Sequence, residues 1–297
     1  MSKSKKSIFK GTATALITPF KNGEVDFAAL GGLIDRQIES GIDALVICGT
    51  TGESATLSDI EHCAVLELAL KQADGRVPMI AGTGSNDTAH AVEMSRFASD
   101  LGYDGLLVVT PYYNKATEKG LIASFTAIAD SVDKPIILYN VPSRTGCNIT
   151  LPVYRELAKH ENIVAIKEAS GNISQIAEIF AECGDHFDIY SGNDDQTLPI
   201  LALGGAGVIS VVSNIIPKEM KSLCKKWLDG DTQECRRLHE KYLKLMKMMF
   251  CEVNPIPVKA ACEIMELCSS EMRLPMCEIG EENRIKLQNL LKQYELI

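Results

Sequence analysis

The stretch K-P-I-I-L-Y-N-V-P-S-R-T-G (134–146) is followed, about one helix later, by N-I-V-A-I-K-E-A-S-G (162–171). Two short apolar runs each end on a reactive side chain: 135–138 on Tyr139 and 163–166 on Lys167. Runs of this length, bounded by turn residues and separated by a helical segment, read as parallel strands of a βαβ unit. Side chains alternate along a strand, so Ile163, Ala165 and Lys167 are expected on one face and Val164 and Ile166 on the other. Ile137 shares a face with Tyr139. If the strands are neighbours, an amine and a phenol project from adjacent strand ends into one space. That pair suits imine chemistry on a carbonyl substrate.

The same alternation extends in both directions. Strands are expected at 11–18, 44–48, 78–81, 105–109, 187–191 and 207–212, around the two already described. Helices fall between them, capped by Asp26 and Ser58 where the sequence offers an acceptor, and running to Glu39 and about Gln72. Others are expected at 87–101, 119–132, 151–160, 173–183, 195–203 and 217–228. About eight β/α units in roughly 230 residues are the arithmetic of a (β/α)8 TIM barrel. A doubly wound open sheet competes, but no G-x-G-x-x-G follows the first strand. Residues 231–297 show helical periodicity and no strand signal. Leu238, Tyr242, Leu245 and Met249 fall on one helical face, Pro255 and Pro257 mark a helix start, and 285–296 reads as a last helix. The division is therefore a barrel over 1–230 and a C-terminal helical appendix over 231–297. Met246, Met248 and Met249 read as core or interface filler.

Composition excludes several classes. The 297 residues are 46% hydrophobic, enough for a large core, and the net charge of −9 offers no basic surface for nucleic acid. The basic start (1–6) is followed by no apolar run long enough for a signal peptide, and no stretch is long enough to span a bilayer. The ten cysteines are scattered with no C-x-x-C pair, which argues against a zinc or redox motif. They read as small apolar fillers in a reduced, cytoplasmic protein. N-x-S/T matches at Asn86, Asn148 and Asn172 are then chance. His239-Glu240 does not continue as H-E-x-x-H, so no metal is expected.

Catalytic residues of such a barrel gather at the strand C-terminal ends. Thr50 and Thr51 follow the second strand, Tyr112 and Tyr113 the fourth, Tyr139 and Arg144 the fifth, and Lys167 ends the sixth. Lys167 could simply snorkel to solvent or pair with Glu168. Its functional reading is a Schiff-base nucleophile. An amine at its reference pKa of about 10.4 is almost wholly protonated at neutral pH, and burial in a barrel mouth frees the lone pair. Tyr139 could fill the barrel; beside an amine it can move protons into and out of a carbinolamine. Thr50 and Thr51 could be ordinary turn residues, or could capture a carboxylate through backbone N–H groups and a hydroxyl. Arg144 could be a surface cation or a carboxylate fork. The G-G-A-G cluster at 204–207 precedes the eighth strand and so lies on the face away from the chemistry. A small keto acid is thus a better substrate than a sugar phosphate. No cofactor is implied.

G-T-T-G-E (49–53), P-Y-Y-N (111–114), Y-N-V-P-S-R-T-G (139–146) and A-I-K-E-A-S-G (165–171) together resemble the 4-hydroxy-tetrahydrodipicolinate synthases, also called dihydrodipicolinate synthases. N-P-I-P-V-K (254–259) also fits, and the resemblance runs from about Gly11 to the C-terminus. The lysine and tyrosine motifs are shared with the wider pyruvate-aldolase superfamily, including N-acetylneuraminate lyase. The arginine motif and the Thr-Thr pair favour the synthase over another class I aldolase or lyase. The resemblance implies that Lys167 forms an imine with pyruvate and that Tyr139 relays protons with Thr50 and Tyr113. Thr51 and the backbone at Ile209 would hold pyruvate. Arg144 would hold the carboxylate of L-aspartate 4-semialdehyde. It further implies a homotetramer, a dimer of dimers, in which Tyr113 completes a neighbour's site. In lysine-inhibited members the interface carries an inhibitor pocket, whose positions fall at Ser54, Ala55, His62, Asn86 and Tyr112. Where those members place a glutamate this chain has His90, and Asp59 replaces a common histidine. Weak or absent inhibition by lysine is expected.

Overall fold

The computed structural model describes residues 7–297, and the basic start at 1–6 lies outside them. Eight parallel strands close into a barrel: β1 (Gly11–Ala15), β2 (Ala44–Ile47), β3 (Met79–Gly82), β4 (Gly105–Val109), β5 (Ile136–Asn140), β6 (Ile163–Glu168), β7 (Asp188–Ser191) and β8 (Gly207–Ser210). Each pairs with the next in sequence, and β8 closes onto β1. That last seam needs glycine. Any Cβ on Gly207 would sit 1.8 Å from the carbonyl oxygen of Gly11.

Helices cover the barrel because alternate strand residues are apolar outward as well as inward. Leu45, Ile47, Leu106, Val108, Ile136 and Leu138 belong to the outer core. Ala13, Ala44, Val46, Ile80, Leu107 and Ile137 fill the interior. Phe9 stacks on Tyr190 with ring centroids 4.2 Å apart and belongs to that inner core. The helix starts expected from Asp26 and Ser58 are real. Asp26 accepts from the Ala29 N–H at 3.0 Å. Ser58 and Glu61 form a reciprocal capping box that opens the helix Asp59–Ala73.

Strict alternation fails at one place. Ile136 pairs with Ile163 but Ile137 pairs with Ala165, so the register shifts by one residue. Val164 joins Ala165 in the inner core, and Ile163 lies in the outer one. The expectation that Ile163 shares a face with Lys167 is corrected accordingly. Ala165 and Lys167 keep their phase because the bulge precedes them.

Smaller differences have local causes. β1 ends at Ala15, and the chain then makes a two-residue hairpin (Phe20–Lys21 with Glu24–Val25). Its Asn22-Gly23 turn, φ +56° and +82°, is a turn signal whose strands are too short to show periodicity. The helix expected over 195–203 opens as a 3-10 turn (Asp194–Gln196) before an α-helix over Thr197–Ala202. The helix expected over 151–160 stops at Leu157. Pro142–Thr145 forms a one-turn helix.

Three helices follow the barrel's last covering helix (Pro217–Leu228): Thr232–Met248, Ile256–Ile264 and Glu281–Gln293. Leu238, Tyr242, Leu245 and Met249 are buried together, with Met246 beside them, as the periodicity required. Six of the ten cysteines are buried. Among the described residues no helix is long and apolar enough to cross a membrane.

Candidate active site

Register brings the two expected reactive groups together. Tyr139 and Lys167 are direct partners across β5 and β6. The Lys167 ammonium nitrogen lies 4.4 Å from the centroid of the Tyr139 ring. Both side chains are buried, at 5% and 6% exposure for Lys167 and Tyr139 respectively. Gly192 makes room for this, since a Cβ there would meet Lys167 Cε at 3.2 Å and Ala169 Cβ at 2.7 Å.

Lys167 does not pair with Glu168. The Glu168 carboxylate faces the opposite way and accepts from Asn140 at 2.7 Å, Tyr154 at 2.8 Å and Ser170 at 2.6 Å. With no adjacent carboxylate partner, burial dominates and brings the Lys167 amine down to about 7; Asp194 opposes this and Arg144 adds to it. Burial pushes the Tyr139 phenol up, so it keeps its proton at neutral pH. A side-chain hydrogen bond from Thr50 and the charge of Arg144 moderate that shift.

The other expected residues sit around this pair with one exception. Thr50 and Thr51 follow β2, Thr51 at 3% exposure. Ile209 is fully buried in β8 and lines the barrel interior. Arg144, in the one-turn helix after β5, donates to the main-chain carbonyl of Asn254 at 2.8 Å. A cleft of about 330 Å³ runs over this rim, with Thr50, Arg144 and Asn254 among its lining and His62, His90 and Tyr112 further along. Tyr113 is not brought into the group. It is 90% exposed, with φ +74°.

Two residues of the site carried no role in the sequence reading. Asp194, buried just beyond β7, accepts from the N–H groups of Val211 and Val212 at 3.1 and 2.9 Å. It is a pinned negative charge acting on Lys167, and burial raises its own pKa. The D-D pair at 194–195 after a strand was the available signal. Asn254 donates from Nδ2 to Thr51 Oγ1 at 3.0 Å. Its signal was the N-P-I-P-V-K motif, which the sequence placed but could not connect to the rim.

A buried amine held near neutrality, a protonated phenol beside it, and a threonine pair with an arginine at the cleft make a site for condensing carbonyl acids. Known proteins agree. The sequence model of the dihydrodipicolinate synthetase family matches residues 8–294. The 4-hydroxy-tetrahydrodipicolinate synthase of Citrifermentans bemidjiense is 52% identical over 290 residues, covering 98% of this chain and 100% of the relative. The dihydrodipicolinate synthase structure from Aquifex aeolicus is 49% identical with a TM-score of 0.95, covering 97% of this chain and 99% of that one. One from Cyanidioschyzon merolae, solved with lysine bound, is 41% identical with a TM-score of 0.95, covering 98% of this chain and 100% of that one. With the match running from strand β1 through the last helix, the chain belongs to the dihydrodipicolinate synthetase family.

Proposed function

We propose that the chain condenses pyruvate with L-aspartate 4-semialdehyde, giving 4-hydroxy-tetrahydrodipicolinate for lysine and diaminopimelate biosynthesis. The observation that carries this is Lys167, with its amine brought to about 7 and set over the Tyr139 ring, in a family member. The neutral amine's lone pair attacks the keto carbon of pyruvate. The Tyr139 phenol protonates the oxygen, and loss of water leaves an iminium on Lys167. The iminium withdraws electrons and acidifies the methyl group; the Tyr139 phenolate takes back a proton from it, and the C–H electron pair becomes the enamine double bond. The enamine carbon attacks the aldehyde of the second substrate. That substrate's amine then attacks the imine carbon, closing the ring and releasing Lys167 with its proton. Asp194, fixed by two N–H groups, favours the cationic stages. Thr51 and the Ile209 backbone hold the pyruvate carboxylate, and Arg144 holds that of the semialdehyde.

Arg144 separates this reaction from another aldolase or lyase chemistry. With purified protein, turnover of aspartate semialdehyde should exceed that of sugar-derived aldehydes. Arg144→Ala should raise the KM for the semialdehyde about tenfold or more, as expected for loss of a charge-assisted contact. Equal loss on both aldehyde classes in a steady-state assay would argue for a different second substrate.

The exposed Tyr113, with a backbone conformation that bulky residues rarely adopt, supports a role in a neighbouring subunit's site. Ile60 and Leu274, 83% and 84% exposed, supply apolar surface for a partner. A homotetramer is the assembly we infer. The free, mostly buried cysteines support a cytoplasmic location. Gly230 at φ +88°, ahead of the Asp231 cap, supports the division into a barrel over 1–230 and an appendix over 231–297.

Feedback inhibition by lysine is expected to be weak. His90 Nε2 lies 3.6 Å from the Asp59 carboxylate, and Glu53, which lines the cleft, is buried and paired with Lys259. Burial lowers the His62 pKa and keeps that ring neutral. A lysine ammonium entering the cleft would find no free carboxylate at these positions. His90→Glu should lower the lysine concentration for half-inhibition about tenfold, the scale of one added charge pair near a surface. Half-inhibition of the unmodified protein at sub-millimolar lysine would contradict this.

A further inference from the structure

The turn 49–53 carries Thr50 and Thr51, and the C-terminal helices grip it twice. Asn254, 5% exposed, donates from Nδ2 to Thr51 Oγ1 at 3.0 Å. Lys259, five residues on and fully buried, donates to the Glu53 carboxylate at 2.7 Å. It also donates to the carbonyls of Thr18 and Glu271, at 3.1 and 2.6 Å. The ammonium's three protons are thus all used, and they tie the strap at 254–259 to the turn.

The direction of the Asn254 bond matters. A hydroxyl that accepts from an amide still has its own proton to donate. Among the described residues no acceptor takes the Thr51 proton. On the other side of the amide, Asn254 Oδ1 is buried with no hydrogen-bond partner. Among the described residues the bond from Nδ2 to Thr51 is thus the one hydrogen bond of the Asn254 side chain. The Asn254 main-chain carbonyl, meanwhile, accepts from Arg144 Nη2. One residue of the strap therefore touches the anchors of both substrates, through two different groups.

We propose that Asn254 is a positioning residue that, by donating to Thr51 Oγ1, aims the Thr51 hydroxyl proton at the carboxylate of the bound 2-keto acid. The inference rests on the reading of Thr51 as the keto-acid anchor, and it adds what orients that anchor. Without the amide donor, the Thr51 proton is free to turn toward other acceptors, and the keto acid loses a pre-aimed hydrogen bond. Arg144 is unaffected, because any residue at 254 supplies a main-chain carbonyl.

The test uses the full chain, steady-state kinetics on both substrates, and borohydride trapping with pyruvate as a direct readout of imine formation. Asn254→Ala should raise the KM for pyruvate about tenfold and shift the pyruvate concentration for half-maximal trapping equally. The KM for the semialdehyde should stay within about twofold, and kcat should fall less than the pyruvate KM rises. Thr51→Val should raise the pyruvate KM similarly, and adding Asn254→Ala to it should change nothing more. If the alanine variant does not fold, Asn254→Ser keeps a polar atom in the pocket but is too short to reach Thr51, and should give the same split. Equal rises in both KM values, or additive effects in the double variant, would mean a merely structural role and overturn the inference. A raised pyruvate KM in Thr51→Val beside an unchanged one in Asn254→Ala would overturn the inference alone. An unchanged pyruvate KM in Thr51→Val would remove the reading of Thr51 and the inference with it.

Discussion

Lys167→Arg is expected to abolish borohydride-trapped adduct with pyruvate and to cut turnover by at least about a thousandfold, the scale of losing a covalent nucleophile. The replacement keeps a basic side chain at the strand end but has no amine lone pair to offer. Guanidinium does not deprotonate in a protein, whereas burial brings the Lys167 amine to about 7. The same displacement sets a pH dependence. The reactive form is the neutral amine, so kcat/KM for pyruvate should fall about tenfold per unit below pH 7 and level off above it. An amine at the ordinary value would put that limb more than three units higher. Stability should move the same way. The folded chain releases this proton near 7 and the unfolded chain near 10.5, so between those values the unfolded state binds more protons. Stability therefore rises with pH across that window, as far as this residue governs it. Lys167→Met should remove that slope and unfold at higher urea than the parent at neutral pH, while trapping no pyruvate. A trapped adduct in either variant, or an acid limb near pH 10, would refute the assignment.

Much of this was legible in the sequence because the amine and phenol stand at strand ends. A strand end is marked by where an apolar run stops, and both Tyr139 and Lys167 stop one. The barrel followed from counting such runs. The face assignments at Ile163 and Val164 were not legible, because a bulge is a property of two paired strands and alternation is read from one. Asp194 and Asn254 were hidden for a different reason. Thr51 and Asn254 are 203 residues apart, and no local pattern reports a hydrogen bond across that distance. The N-P-I-P-V-K motif marked the strap, and only the closed fold shows that it reaches the rim. Tyr113 shows a third limit. The P-Y-Y-N motif marked it, but the folded chain leaves it 90% exposed and apart from the amine and phenol.

Lys259→Met is expected to destabilise the fold by about 3–5 kcal/mol, the cost of leaving its partner's charge buried and unpaired. Glu53 and Lys259 are 3% and 0% exposed at the side chain, and their ion pair spans the turn and the strap. Burial raises the Glu53 pKa and lowers that of Lys259, so for both groups desolvation outweighs their attraction. The pair is therefore a poor source of stability and a costly one to break. Glu53 Oε2 has no hydrogen-bond partner among the described residues, and the Arg273 main chain and charge only partly offset the burial of the carboxylate. Three carbonyl or carboxylate acceptors lose their donor at once in Lys259→Met, and the Phe20 ring loses a cation 4.3 Å from its centroid. Urea unfolding should show the midpoint drop with an unchanged m-value. Lys259→Met with Glu53→Gln should recover a large part of the loss, since no charge is then left unpaired. That double variant should still trap pyruvate on Lys167, because neither residue contacts the amine, but with weaker half-saturation, because the turn bearing Thr51 is held at one point instead of two. Stability unchanged in the single variant, or a double variant no better than the single, would show that the pair does not anchor the turn.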